Sequence, residues 1–252
     1  MQARTGETAV IVGATGAFGK AIVGRLITAG LDVVAVSRTH AALEGLAGEY
    51  PGLIPCEADI SDDSAIARIE STLTGPVRMV VHGPGLAAPG GVLQIAPDGL
   101  AQSVNIKAGG MLRLVRAVDE RLVDGARLVA IAGHYGLEPT AYASAAGVAN
   151  AALVNLARQL SLAYGPRGIT AHVIAPGPAD TERVHKLAAQ QAAARGVSPE
   201  SIIDAMKAES STGTLTTPEQ VAWAVALLLA PEADALTGST LMLDSGRRRG
   251  LP

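Results

Sequence analysis

Aromatic side chains are nearly absent: one Phe, one Trp and four Tyr make up 2% of the 252 residues. Rings therefore cannot fill the interior, and the core falls to Ala, Val, Leu and Ile. There is one cysteine, Cys56, which excludes an internal disulfide and fits a reducing cytosol. Neither charge sign dominates, with 20 basic against 23 acidic residues and a net charge of −3. That balance gives no electrostatic reason to expect a nucleic acid or a membrane surface as partner. No apolar run approaches the ~18–20 residues of a membrane-spanning helix. Met1 to Glu7 is polar and leads into a strand without the apolar stretch of a signal peptide, so a cytoplasmic protein is expected. The basic run Arg247-Arg248-Arg249 reads as a solvated tail.

Hydrophobic residues make up 48% and charged residues 17%, enough to bury the core of a single α/β domain spanning residues 1–252. Short β-branched runs alternate with helical patterns throughout, which predicts parallel βαβ units. Strands are expected at Thr8–Val12, Asp32–Ser37, Leu53–Cys56, Val77–His82, Arg127–Ala132, Thr170–Ile174 and Thr240–Leu243. Their near-continuous hydrophobicity suits a sheet covered on both faces. Helices are expected over Gly19–Ala29, Asp62–Leu73, Leu100–Leu122, Ala149–Tyr164 and Pro218–Leu229, the last opened by the capping sequence Thr217-Pro218-Glu219-Gln220. Asp180–Thr216 interrupts the rhythm with two short helical patterns, Glu182–Ala194 and Pro199–Ala208. So long a connection is usually functional or mobile, and it is expected to form a helical lid whose alanine faces lie against a flat ring system.

Gly13-Ala14-Thr15-Gly16-Ala17-Phe18-Gly19 follows the first strand and opens a helix. Gly13 permits a sharp turn, and the missing side chains let backbone N–H groups approach a pyrophosphate at the helix N-terminus. Ala17 stands where a further glycine is commonest. After the second strand, Ser37-Arg38 replaces the acidic residue that would accept hydrogen bonds from a ribose 2′-hydroxyl. Arg38 suits a 2′-phosphate instead, which favours NADP(H) over NAD(H).

From residue 8 to residue 246 these segments resemble the short-chain dehydrogenase/reductase family. The resemblance implies a doubly wound Rossmann fold, with a seven-stranded parallel sheet ordered 3-2-1-4-5-6-7 and helices on both faces. It assigns Asp59-Ile60 to the adenine and Gly83 and Gly85 of His82-Gly83-Pro84-Gly85 to the cofactor loop. His82 takes the place of an asparagine that braces the sheet. Ile174-Ala175-Pro176-Gly177 and Thr181 resemble the loop framing the nicotinamide, Asn105 matches a helix asparagine that anchors a water, and Leu241 to Gly246 resembles the closing strand. The implied cofactor-contacting set is Gly13, Thr15, Gly16, Phe18, Gly19, Ser37, Arg38, Asp59, Ile60, Gly83, Gly85, Asn105, Asn150, Pro176, Gly177 and Thr181.

The family's catalytic serine, tyrosine and lysine fall at Gly133, Ala146 and Asn150. Gly133 has no side-chain donor, Ala146 has no proton to give, and Asn150 carries no charge to depress a neighbour's pKa. Loss of a general acid costs about 10²–10⁴-fold in rate. Tyr142, eight residues before Asn150, and His134 and Tyr135, directly after Gly133, are expected in the substrate pocket as donors or as walls. No metal site is read from the sequence.

Among atypical members, the chain resembles the ketoreductases of angucyclinone antibiotic pathways, of the simocyclinone type, which lack the usual catalytic residues. The expected activity is NADPH-dependent reduction of an aromatic polyketide ketone whose own phenol supplies the proton. The alternatives are an inactive subunit partnering an active paralogue and a cyclase or isomerase without net redox. A homo-oligomer, dimer or tetramer, is expected.

Overall fold

Alternation along each strand sorts side chains onto the two faces of one sheet. In the computed structural model, residues 6–85 and 90–250 are described; the first five residues of the polar leading segment lie outside them. Val10 and Val12 of β1 (Thr8–Val12) enter one core, and Ala9 and Ile11 enter the other. The same split recurs in β2 (Asp32–Ser37), where Val34 and Val36 face one side and Val33 and Ala35 the other. A period of two with both faces apolar is what burial between two helical layers requires.

The remaining strands are β3 (Ile54–Glu57), β4 (Val77–His82), β5 (Leu122–Ile131), β6 (Thr170–Pro176) and β7 (Thr240–Leu243). All seven pair in parallel in the order β3-β2-β1-β4-β5-β6-β7, as expected. The direction of winding reverses between β1 and β4, which opens a crevice at the carboxyl ends of the strands.

Helices α1 (Ala17–Thr28), α2 (His40–Glu49) and α9 (Pro218–Leu227) cover one face through Ile22, Leu26, Leu43, Val221 and Val225. Helices α3 (Ser64–Thr72), α5 (Gly110–Val118) and α6 (Ser144–Tyr164) cover the other through Ile69, Met111, Leu114 and Leu153. Cys56 is buried in that second core, and burial pushes its thiol up. Among the described residues no helix is long and apolar enough to cross a membrane.

Five expectations change. Helix α2, with only Leu43 and Leu46 buried, has too thin an apolar stripe to stand out in the sequence. Strand β5 begins five residues early and α6 begins at Ser144. The single helix expected over Leu100–Leu122 is broken: α4 (Pro97–Val104) passes through one wide π-turn, Asn105–Gly109, before α5 begins. The tail is not solvated at Arg247, whose side chain is only 9% exposed, pairs with Glu209 and donates to the Met206 carbonyl.

The 180–216 segment forms α7 (Glu182–Arg195) and α8 (Pro199–Ala208), with Ser198 accepting from the Ser201 N–H as N-cap. Ala188 and Ala192 are buried with Ile202, Ile203 and Leu215 in a small core of the hairpin itself. Those two alanines therefore pack helix on helix, whereas Ala189, Ala193 and Ala194 of the same helix are exposed.

Candidate functional site

The crevice is a cavity of about 630 Å³ bounded by the ends of β1, β2, β4 and β5, α6 and the start of α7. Its floor is the turn between β1 and α1. Gly13 has φ +84°, a conformation only glycine takes freely, and its N–H donates to the Val36 carbonyl at 2.9 Å. A Cβ on Gly19 would lie 2.2 Å from the Gly13 carbonyl oxygen, so glycine there allows α1 to start against the turn. Gly16 caps α1 without a side chain, and the first turn carries no acidic residue. The N–H groups of that turn are left for an anion.

At the adenosine end, the Thr15 and Ser37 hydroxyls are 2.9 Å apart and tie the turn to β2, beside exposed Arg38. Asp59 accepts from the Ser61 N–H at 2.9 Å and the Ser61 hydroxyl at 2.7 Å. These bonds hold its carboxyl below the usual carboxylate range, with a smaller contribution from the Arg38 charge. Gly13, Thr15, Gly16, Phe18, Gly19, Ser37, Arg38, Asp59, Ile60, Gly83, Gly85, Asn150 and Thr181 all line this one cavity. The glycine cradle, the uncapped helix and the volume fit a dinucleotide.

Asn105, Pro176 and Gly177 stand elsewhere. The Asn105 amide donates to the Ser61 carbonyl and accepts from Arg113, both at 2.9 Å, so its side chain braces a loop. Gly177 donates to the Leu243 carbonyl at 3.0 Å, and a Cβ there would lie 2.9 Å from the Asp244 Cα. Pro176 and Gly177 therefore dock β6 on β7 and do not wall the cavity.

The opposite end is small and apolar, with Ala132, Ala145, Ala146 and Ala149 on its wall. A side chain at position 133 would place its Cβ 2.9 Å from Asn150 Nδ2, so the amide fills the space that Gly133 leaves. Asn150 Oδ1 is buried without a hydrogen-bond partner, an acceptor available to a ligand hydroxyl.

His134, Tyr135 and Tyr142 do not line the cavity. The rings of His134 and Tyr135 are 3.9 Å apart, and the Tyr135 and Tyr142 hydroxyls are 2.7 Å apart. Burial, then the Tyr142 hydroxyl, raises the Tyr135 pKa. These three form a cluster beside the cavity, and no tyrosine among the described residues lines it.

His82 is fully buried, with its Nε2 2.9 Å from the Ile106 carbonyl. The carbonyl can only accept, so Nε2 carries the proton. Burial, then the Lys107 charge, pushes its pKa down to about 3. It is a neutral brace, and Gly110 makes room for it: a Cβ there would lie 2.7 Å from the imidazole.

Sequence reasoning missed Lys107, which lines the cavity from the π-turn, and Arg183, which lines it from α7. A signal existed for Lys107, because the buried stripe Met111, Leu114 and Val118 extends back to it at helical spacing.

A family model described as Enoyl-(Acyl carrier protein) reductase matches residues 13–248. The chain belongs to the short-chain dehydrogenase/reductase family. It is therefore an NAD(P)H-dependent oxidoreductase. An uncharacterized oxidoreductase of Schizosaccharomyces pombe is 31% identical over 98% of this chain and 93% of its own length. The short-chain reductase protein NovJ of Streptomyces niveus is 28% identical over 96% of this chain and 94% of its own. Among solved structures, a tryptophan variant of actinorhodin polyketide ketoreductase with NADPH is 25% identical, with a TM-score of 0.88 over 96% of this chain and 97% of that one.

Proposed function

We propose that this reductase uses NADPH to reduce an aromatic polyketide ketone of angucyclinone type, taking the proton from a phenol beside the carbonyl. One observation carries the reading: the glycine turn, Arg38 and Asp59 line one end of the cavity, while the wall opposite holds alanines, an amide and the Lys107 ammonium and no tyrosine. Similarity to the actinorhodin polyketide ketoreductase supports the substrate class.

NADPH held by the Gly13–Gly19 turn and Arg38 would supply a hydride for the carbonyl carbon. The phenol proton passes to the carbonyl oxygen, and the phenolate regains one from water, so the net change is addition of one hydride and one proton. Ala132, Ala145, Ala146 and Ala149 leave a smooth wall for a flat ring and help exclude water, which strengthens the substrate's internal hydrogen bond. Incubating the protein with NADPH and a panel of aromatic polyketide ketones, while following nicotinamide absorbance, tests the reading. Oxidation of NADPH by ketones carrying the adjacent phenol is expected. NADPH binding without turnover of any ketone would favour an inactive partner subunit.

Cofactor choice rests on Arg38. A charge-assisted contact contributes about 1.5–3 kcal/mol. Arg38→Ala is expected to weaken NADP binding about tenfold or more and NAD binding little, as measured by titration calorimetry. Equal losses for both would mean that Arg38 does not read the 2′-phosphate.

A further inference from the structure

Among the described residues Lys107 is the one ammonium on the cavity wall, and the reading above gives it no task. It stands on the π-turn Asn105–Gly109, and its stem lies against Gly85, where a Cβ would sit 3.2 Å from the Lys107 Cε. Nζ donates to the Ile131 carbonyl at 2.7 Å, at the carboxyl end of β5 and two residues before Gly133. Lys186 and Lys207 pair with Glu182 and Asp204 on their own helices, whereas Lys107 has no such carboxylate among the described residues. Its side chain is partly buried, and it stands on the cavity wall.

An ammonium has three N–H donors, and one is spent on Ile131. Taking a charge out of water for packing alone is costly when a methionine would fill the same space. The two remaining donors are thus available to a ligand. Their place along the cavity identifies which part of it: Arg38 and Asp59 mark the adenosine end, the Gly13–Gly19 turn suits the pyrophosphate, and Lys107 lies beyond, beside Ala132. The dinucleotide offers there a neutral ring and a ribose with two adjacent hydroxyls, and two acceptors match two donors.

We infer that Lys107 is a positioning residue that holds the hydroxyls of the nicotinamide-side ribose, supplying from the π-turn the charge that Asn150 lacks. The inference rests on reading the cavity as a dinucleotide site.

Titration calorimetry with NADPH and with 2′,5′-ADP, which has no second ribose, separates the two claims. Lys107→Met is expected to bind NADPH about tenfold more weakly and 2′,5′-ADP within about twofold of the wild type. Unchanged NADPH affinity, or an equal loss for both ligands, would overturn the role of Lys107. Failure of the wild type to bind either ligand would overturn the dinucleotide reading itself.

The wild type provides a second measurement should the variant not fold. Burial, then the Arg183 charge, lowers the Lys107 amine to about 8. The other groups acting on it are His82 of β4, neutral above about pH 3, and Arg183 of α7, a guanidinium that stays cationic. Ribose contacts raise the bound amine's pKa, by one unit for a tenfold effect. The ratio of NADPH to 2′,5′-ADP affinity should then be full below pH 8 and fall about tenfold as the pH passes the bound value. A flat ratio from pH 7 to 10 would sink the inference.

Discussion

Methylating the phenol beside the target carbonyl should lower the rate by about 10²–10⁴-fold, the contribution of a general acid. Tyr135→Phe and Tyr142→Phe should each retain activity to within about tenfold. The expectation follows from where these hydroxyls are: each faces the other at 2.7 Å, in a cluster that does not line the cavity. Loss of the hydroxyl leaves the edge-on contact of the two rings, at 5.6 Å, in place. Single-turnover rates with phenol and methyl-ether substrates, at saturating NADPH, read the effect on chemistry alone. A dead tyrosine variant together with an indifferent methyl ether would return the acid role to the protein.

Lowering the pH from 7.5 to 5 should cost about 4 kcal/mol of unfolding free energy, a large part of a typical domain's stability. His82 and His172 are both fully buried, and their pKa values are pushed down, mainly by burial, to about 3 and about 4. Unfolded, each titrates near 6.5, so between that value and the folded one only the unfolded chain takes up the proton. Stability is therefore full above about pH 6.5 and falls as the pH drops, by about 2 kcal/mol per histidine at pH 5. Burial also lowers His134, in the same direction. Urea unfolding at the two pH values measures the loss, and His82→Asn should reduce it by about half. Equal stability at pH 7.5 and 5 would mean that these imidazoles are not held neutral in the folded protein.

The two faces of the sheet are legible in the sequence because each strand obeys a local rule. A run such as Ala9–Val12 is apolar at every position, and only burial on both sides makes that favourable. The turn at Gly13 is equally local, since a strand, a left-handed glycine and a helix start are contiguous in the chain. Hence the nucleotide turn can be assigned residue by residue, and of the cofactor residues that the family resemblance implies, all but Asn105, Pro176 and Gly177 line one cavity. The absence of serine, tyrosine and lysine at 133, 146 and 150 is likewise a fact of sequence.

What replaces them is not. Tyr135 and Tyr142 look available in the sequence, yet the fold turns their hydroxyls toward each other. Ala188 and Ala192 of α7 look like part of a ligand surface, yet they pack inside a helical hairpin. Lys107 reads as an ordinary helix cation until the π-turn and Gly85 bring its amine to the Ile131 carbonyl. Each of these outcomes depends on contacts between segments distant in the chain, where the position of a side chain is set by what packs against it. The sequence by itself determines the strands, their burial on both faces and the nucleotide turn, because those follow from periodicity and from residue identity, and its resemblance to the family implies the order of the sheet. The tertiary structure alone decides which polar groups face the cavity and which are spent on one another, because hydrogen bonding and burial are settled only when the layers close.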